Sequence, residues 1–169
     1  MTLNLYVFYL GGSAPGANLE LHDIQFAIGA SPEETYPTLA RHWFGARDSL
    51  HIDAYGLIEW ADGYRVSLST DRPETDLRLY FVNMGGYRPG VLAEEHEFGF
   101  FVAATSAEAK NKARQSLLSR HRHQHQHVDA VREVDQCLLL EKLDGYYIHL
   151  TPSPEGVPPY ALWQGVEWI

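Results

Sequence analysis

Leu5-Tyr6-Val7-Phe8-Tyr9-Leu10-Gly11-Gly12, followed by Pro15-Gly16 and then Glu20-Leu21-His22-Asp23, decides the fold, because the chain writes it twice. Shifted by 74 residues, Leu5–Ile28 falls on Leu79–Val102 without a gap, and nine of the 24 positions are identical. Average residue usage gives roughly one or two matches by chance. The match resumes after short insertions. His51-Ile52-Asp53 meets His127-Val128-Asp129 at an offset of 76, and Asp62-Gly63-Tyr64 meets Asp144-Gly145-Tyr146 at 82. Surface loops tolerate such added length. Four segments follow: a first copy over 1–70, a polar, proline-bearing linker over 71–76, a second copy over 77–151, and a tail over 152–169.

Each copy reads as the same elements. The aromatic and β-branched runs Leu5–Leu10 and Leu79–Met84, closed by Gly-Gly, have the composition of strands ending in turns. Second strands follow near His22–Ile28 and His96–Ala103. Ser31-Pro32-Glu33-Glu34 and Thr105-Ser106-Ala107-Glu108 then match the capping box that opens a helix. Pro37 removes one helical hydrogen bond, so either the first turn of that helix is distorted or the regular helix begins near Thr35. Asp62-Gly63 and Asp144-Gly145 accept positive φ and predict a closing hairpin in each copy. Each module is thus expected to be ββαββ. The pair forms an α+β fold with a mainly antiparallel sheet and pseudo-twofold symmetry.

Composition narrows the function. A formal net charge of −9 argues against nucleic-acid binding, which relies on Lys and Arg to neutralise phosphates. The basic residues Lys110, Lys112, Arg114, Arg120 and Arg122 read as a solvated helix face and loop. The single cysteine, Cys137, implies no disulfide and sits among apolar neighbours as an inert thiol. Leu3–Leu10 lacks a basic flank and a cleavage signal and is too short to span a membrane. A cytoplasmic protein with no membrane partner is expected. Four prolines between Pro152 and Pro159 hold the tail extended. Tyr160, Leu162, Trp163, Val166, Trp168 and Ile169 then give it an apolar end that must dock on the chain's own surface or make a homodimer.

The motif beginning at Leu5, with Pro15-Gly16-Ala17-Asn18-Leu19-Glu20-Leu21-His22-Asp23 and Leu50-His51-Ile52-Asp53, resembles a family catalogued as domain of unknown function 1543 (DUF1543). The resemblance implies one or two copies of the domain in a soluble bacterial protein, and brings no assigned catalytic residues. The second copy departs from it at Asn18 (Leu92) and Leu21 (Glu95).

The polar residues kept in both copies are the site candidates. Glu20 and His22 are two apart and share a strand face, with Asp23 on the other; Glu94, His96 and Glu97 are their counterparts. If the halves converge, Glu20, His22, Glu94 and His96 make a ligand set for a divalent metal. The plainer alternative is that these groups satisfy amides of the Gly-Gly-x-x-Pro-Gly loops. His51/Asp53 and His127/Asp129 form a second duplicated pair, either a carboxylate-oriented imidazole or a solvent-side strand pair. His121, His123 and His125 would give adventitious metal affinity. No nucleophile elbow, His-Glu-x-x-His or Cys-x-x-Cys occurs. The leading expectation is a non-catalytic module that binds a small ligand or a protein in an apolar groove between the halves. The alternative is a metal-dependent hydrolase at the inter-repeat interface, with Asp23 or Glu97 as base. A third is a metabolite carrier that uses one copy.

Overall fold

Two strands run through the middle of their sheets and carry the core on both faces. In the computed structural model, which describes residues 2–118 and 132–169, these are β1 (Asn4–Gly12) and β6 (Arg78–Gly86). Alternate side chains of β1 go to different clusters. Leu5 and Val7 pack toward the second copy, while Tyr6, Phe8 and Leu10 pack under the first helix. β6 divides the same way, with Leu79 and Phe81 on one side and Tyr80, Val82 and Met84 on the other. Burial on both faces explains why these stretches read as unbroken apolar runs rather than alternating ones.

β2 (Leu21–Gly29) pairs antiparallel with β1, and β7 (Glu95–Ala103) with β6, in registers that differ by the same 74 residues: Leu5 faces Ile28 and Leu79 faces Val102. On the other side of β1 lies β3 (His51–Leu57), and on the other side of β6 lies β8 (Arg132–Leu140). Neither was expected at this length, because the ββαββ reading placed only the closing hairpin there. That hairpin is shorter: β4 (Trp60–Ala61) with β5 (Tyr64–Ser69), and β9 (Lys142–Leu143) with β10 (Tyr146–Pro152). Both residues of each Asp-Gly turn have positive φ, as the sequence predicts. β5 pairs antiparallel with β10, so one sheet draws on both copies.

Two expectations are corrected here. Gly11-Gly12 and Gly85-Gly86 are not turns but the last residues of β1 and β6; the turn falls later, at Gly16 (φ 84°) and Gly90 (φ 77°). Strand register also replaces the offset of 76. Gly11 faces His51, whereas Gly85 faces Glu133, and both ladders shift register at equivalent points, Tyr9/Leu10 and Asn83/Met84. His51-Ile52-Asp53 therefore corresponds to Glu133-Val134-Asp135, at the offset of 82 that the hairpins also show. His127 and Asp129 lie outside the described residues.

The helices are short. A 3₁₀ turn at Glu33–Thr35 leads into α1 (Tyr36–His42), with Pro37 in its first turn, where a missing N–H costs least. α2 (Ser106–Ser116) starts on a formed capping box. The Thr105 hydroxyl accepts from Glu108 N–H at 3.2 Å, and Glu108 Oε2 accepts from Ala104 N–H at 3.1 Å. Ala109 and Ala113 are its buried stripe. The tail crosses back over the first copy. Tyr160 passes close above Gly56, where a Cβ would collide with its carbonyl, and β11 (Trp163–Trp168) pairs antiparallel with the free edge of β3. Among the described residues no helix is long and apolar enough to cross a membrane.

Candidate functional site

The absence of a side chain at Gly11 makes room for four others. His22 of β2 and His51 of β3 flank Gly11 across the ladder. A Cβ at Gly11 would collide with His51 Nε2 and stand 2.7 Å from Asp53 Oδ2. Asp53 takes part because it stands two residues from His51 on β3 and shares its face, with its carboxylate beside the imidazole. It is also the extra residue of a one-residue bulge, since Tyr9 pairs with Ala54 and Leu10 with Ile52. Glu20, just before β2, completes the group.

The four side chains close a ring of contacts. His22 Nε2 lies 3.1 Å from Asp53 Oδ2 and 3.5 Å from Glu20 Oε2. His51 Nε2 lies 3.0 Å from Glu20 Oε1 and 3.2 Å from Asp53 Oδ1. Each carboxylate thus bridges both imidazoles, one oxygen to each. His51 is buried, with only 5% of its surface exposed, and its Nδ1 sits 2.9 Å from the Ser49 carbonyl oxygen. A carbonyl can only accept, so Nδ1 carries the hydrogen and Nε2 is the atom turned to the carboxylates. Aromatic rings hold both imidazoles. Tyr9 stacks on His22 with centroids 4.9 Å apart, and Trp168 of the tail leans on His51, also at 4.9 Å.

Tyr9 joins this polar ring to an apolar cleft of about 110 Å³. Val7, Tyr9, Ile24 and Ala54 of the first copy form one wall, Phe98 and Phe100 of the second copy the facing one, and Pro159 and Tyr160 of the tail close it. The Tyr9 phenol is held above its ordinary pKa by burial first, then by the nearby carboxylates of Asp53 and Glu20. It therefore stays a hydrogen-bond donor well into alkaline solution.

The other expected residues fall elsewhere. Asp23 is engaged along its own strand, accepting from Ile24 N–H at 2.9 Å and from Gln25 Nε2 at 2.6 Å. Glu97 accepts from Leu118 N–H at 2.5 Å and holds the end of α2. Neither is placed to serve as a base at the ring. Glu94 and His96 meet each other at 3.6 Å in the second copy's sheet, with Asn83 Nδ2 3.5 Å from His96 Nδ1, and they do not join Glu20 and His22. The inter-repeat set of Glu20, His22, Glu94 and His96 is thus not assembled; the partners of Glu20 and His22 are His51 and Asp53. Among the described residues, Glu20 and His22 meet His51 and Asp53 and accept from no loop amide. His121, His123 and His125 lie outside the described residues. Sequence reasoning missed Gly11, Tyr9 and Trp168, and the signal for the first was a glycine retained inside a strand-forming run.

Comparison with known proteins follows the same division. The family description Domain of Unknown Function (DUF1543) matches residues 17–68 and 91–150, one segment in each copy. No curated protein matches the chain. Among solved structures, the crystal structure of a protein Il1583 from Idiomarina loihiensis is similar over 98% of this chain and 97% of that one, with 36% identity and a TM-score of 0.76.

Proposed function

This chain belongs to the DUF1543 family, and we propose that it is a non-catalytic module that binds a small molecule in the cleft between its two copies. The observation that carries this reading is the position of Tyr9, which both lines the apolar cleft and stacks on His22. Binding sites commonly combine such a wall with a few convergent polar groups. The ligand's apolar body would lie between Ile24 and Phe98. Its polar end would be a hydrogen-bond acceptor, because the protonated Tyr9 hydroxyl is a donor. An approximate twofold relation between the copies is part of the reading. It is supported by the β5/β10 ladder, in which Arg65 faces Thr151 and Ser69 faces Tyr147, pairs that exchange under the offset of 82.

An amide-resolved NMR titration with phenylacetamide, an aromatic ring bearing a neutral carbonyl, tests the proposal. Saturable shifts are expected at Ile24, Ala54, Phe98 and Phe100, and Tyr9→Phe should weaken binding by about two- to tenfold, the worth of one neutral hydrogen bond. Shifts scattered over the surface, or none in the cleft, would remove the cleft as a binding site.

A further inference from the structure

The geometry points to a divalent-metal site in the first copy, formed by Glu20, His22, His51 and Asp53, of the N₂O₂ class that takes Zn²⁺ or a similar first-row ion. Three observations on the ring lead there. The first is chemical. His51 Nδ1–H is committed to the Ser49 carbonyl, so Nε2 faces Glu20 Oε1 and Asp53 Oδ1, both acceptors. A lone pair pointed at two carboxylate oxygens is repulsive, so the place calls for a cation, either a proton or a metal ion. Metal-bound histidines usually donate their other ring N–H to a carbonyl or carboxylate, as His51 does here.

The second is spacing. The four nitrogen–oxygen contacts run from 3.0 to 3.5 Å. Ligands about 2.0–2.2 Å from a tetrahedral ion stand roughly 3.3–3.6 Å from one another, so the 3.5 Å contact is already at that distance and the other three donor pairs, at 3.0, 3.1 and 3.2 Å, need to part only slightly. They are not yet aimed at one centre: among the described residues no group of three or more His, Cys, Asp or Glu side chains surrounds a common point. As it stands, the ring is closed by imidazole–carboxylate contacts. Loading needs the Nε2 lone pairs and needs Glu20 to turn inward, and Glu20 can do so, being half exposed and outside the strand.

The third is asymmetry between the copies. In the second ladder the place of His51 is taken by Glu133 and that of Tyr9 by Asn83. Only the first copy puts two imidazoles at the ring positions, so one ion per chain is expected. Imidazole ligands favour Zn²⁺-type ions over Mg²⁺ and Ca²⁺, and the net charge of −9 favours cation uptake in general.

The inference does not depend on the cleft reading, since its test uses metal alone on the otherwise ligand-free chain. Untagged protein carrying His121→Ala, His123→Ala, His125→Ala and His127→Ala, which removes the adventitious histidines, is titrated with Zn²⁺ by calorimetry, and its metal content is measured after dialysis. One Zn²⁺ per chain is expected. Glu20→Gln and His22→Gln, both at partly exposed positions, should each weaken it more than about tenfold without lowering the apo melting temperature. Mg²⁺ should not compete. The site is overturned if the four-alanine protein binds no Zn²⁺, or if Glu20→Gln and His22→Gln bind it as the parent does. Failure here leaves the phenylacetamide result standing, and the reverse also holds.

Discussion

Gly11 owes its importance to what stands over it. Because His51 Nε2 and Asp53 occupy the space a methyl group would fill, Gly11→Ala must push one of them aside. Overpacking of this kind costs about 1–3 kcal/mol, which should appear as a lower urea midpoint. An unchanged midpoint would mean the four side chains are not seated as described. Tyr36 offers a second test. Its part-buried hydroxyl donates to Glu167 Oε1 at 2.6 Å, tying α1 to the tail, and desolvation first, then the Glu167 contact, raise its pKa well above 10. The folded state therefore keeps a proton that the unfolded state gives up once the pH passes about 10. This contribution is complete below that pH and is lost as pH rises toward the folded value. Stability should decline in alkaline solution, and less steeply in Tyr36→Phe. Parallel pH curves for the two proteins would rule the linkage out.

At the scale of the element, the two helices show how one motif can be used in two ways. Thr105 caps α2 directly, so Thr105→Ala should cost about 1 kcal/mol. Ser31 stands at the equivalent place, yet no side chain caps either helical segment of the first copy. Pro32 and Pro37 draw that start into a 3₁₀ turn, and Glu34 Oε2 accepts from Ala30 N–H at 2.9 Å. Ser31→Ala should accordingly cost less than Thr105→Ala in chemical denaturation, and the reverse order would contradict the assignment of caps. The β3 bulge works at the same scale. It leaves Asp53 out of the ladder and puts Ala54 opposite Tyr9 while Ile52 stays opposite Leu10.

The whole molecule is held together across its copies. The central cluster takes Leu5, Phe26 and Val66 from the first copy and Leu79, Phe81, Val102 and Ile148 from the second. Asp62, in the hairpin turn of the first copy, accepts from Val102 N–H at 2.9 Å and from Lys112 Nζ at 2.8 Å in the second. Removing that carboxylate leaves the Val102 amide without this acceptor and Lys112 with only the Val102 carbonyl at 2.6 Å, and Asp62→Ala is expected to cost about 1–3 kcal/mol. Residues 1–70 alone would expose half the central cluster and the edge of β5 that β10 covers, so this fragment should lack near-ultraviolet dichroism. A folded, monomeric 1–70 fragment would show that the copies are independent.

The sequence by itself determined the repeated strand pair, the helix starts and the Asp-Gly hairpins. Each rests on interactions between residues near one another in the chain, and those leave a local pattern. Glu20, His22, His51 and Asp53 are also legible there as polar candidates. Only the tertiary structure decided how they group. That grouping depends on which strand lies beside β1 and on an insertion placed entirely before β8, so that Glu133 takes the ladder position of His51. Register between distant strands is fixed by the packing of both sheet faces at once, and no short stretch of sequence carries that information.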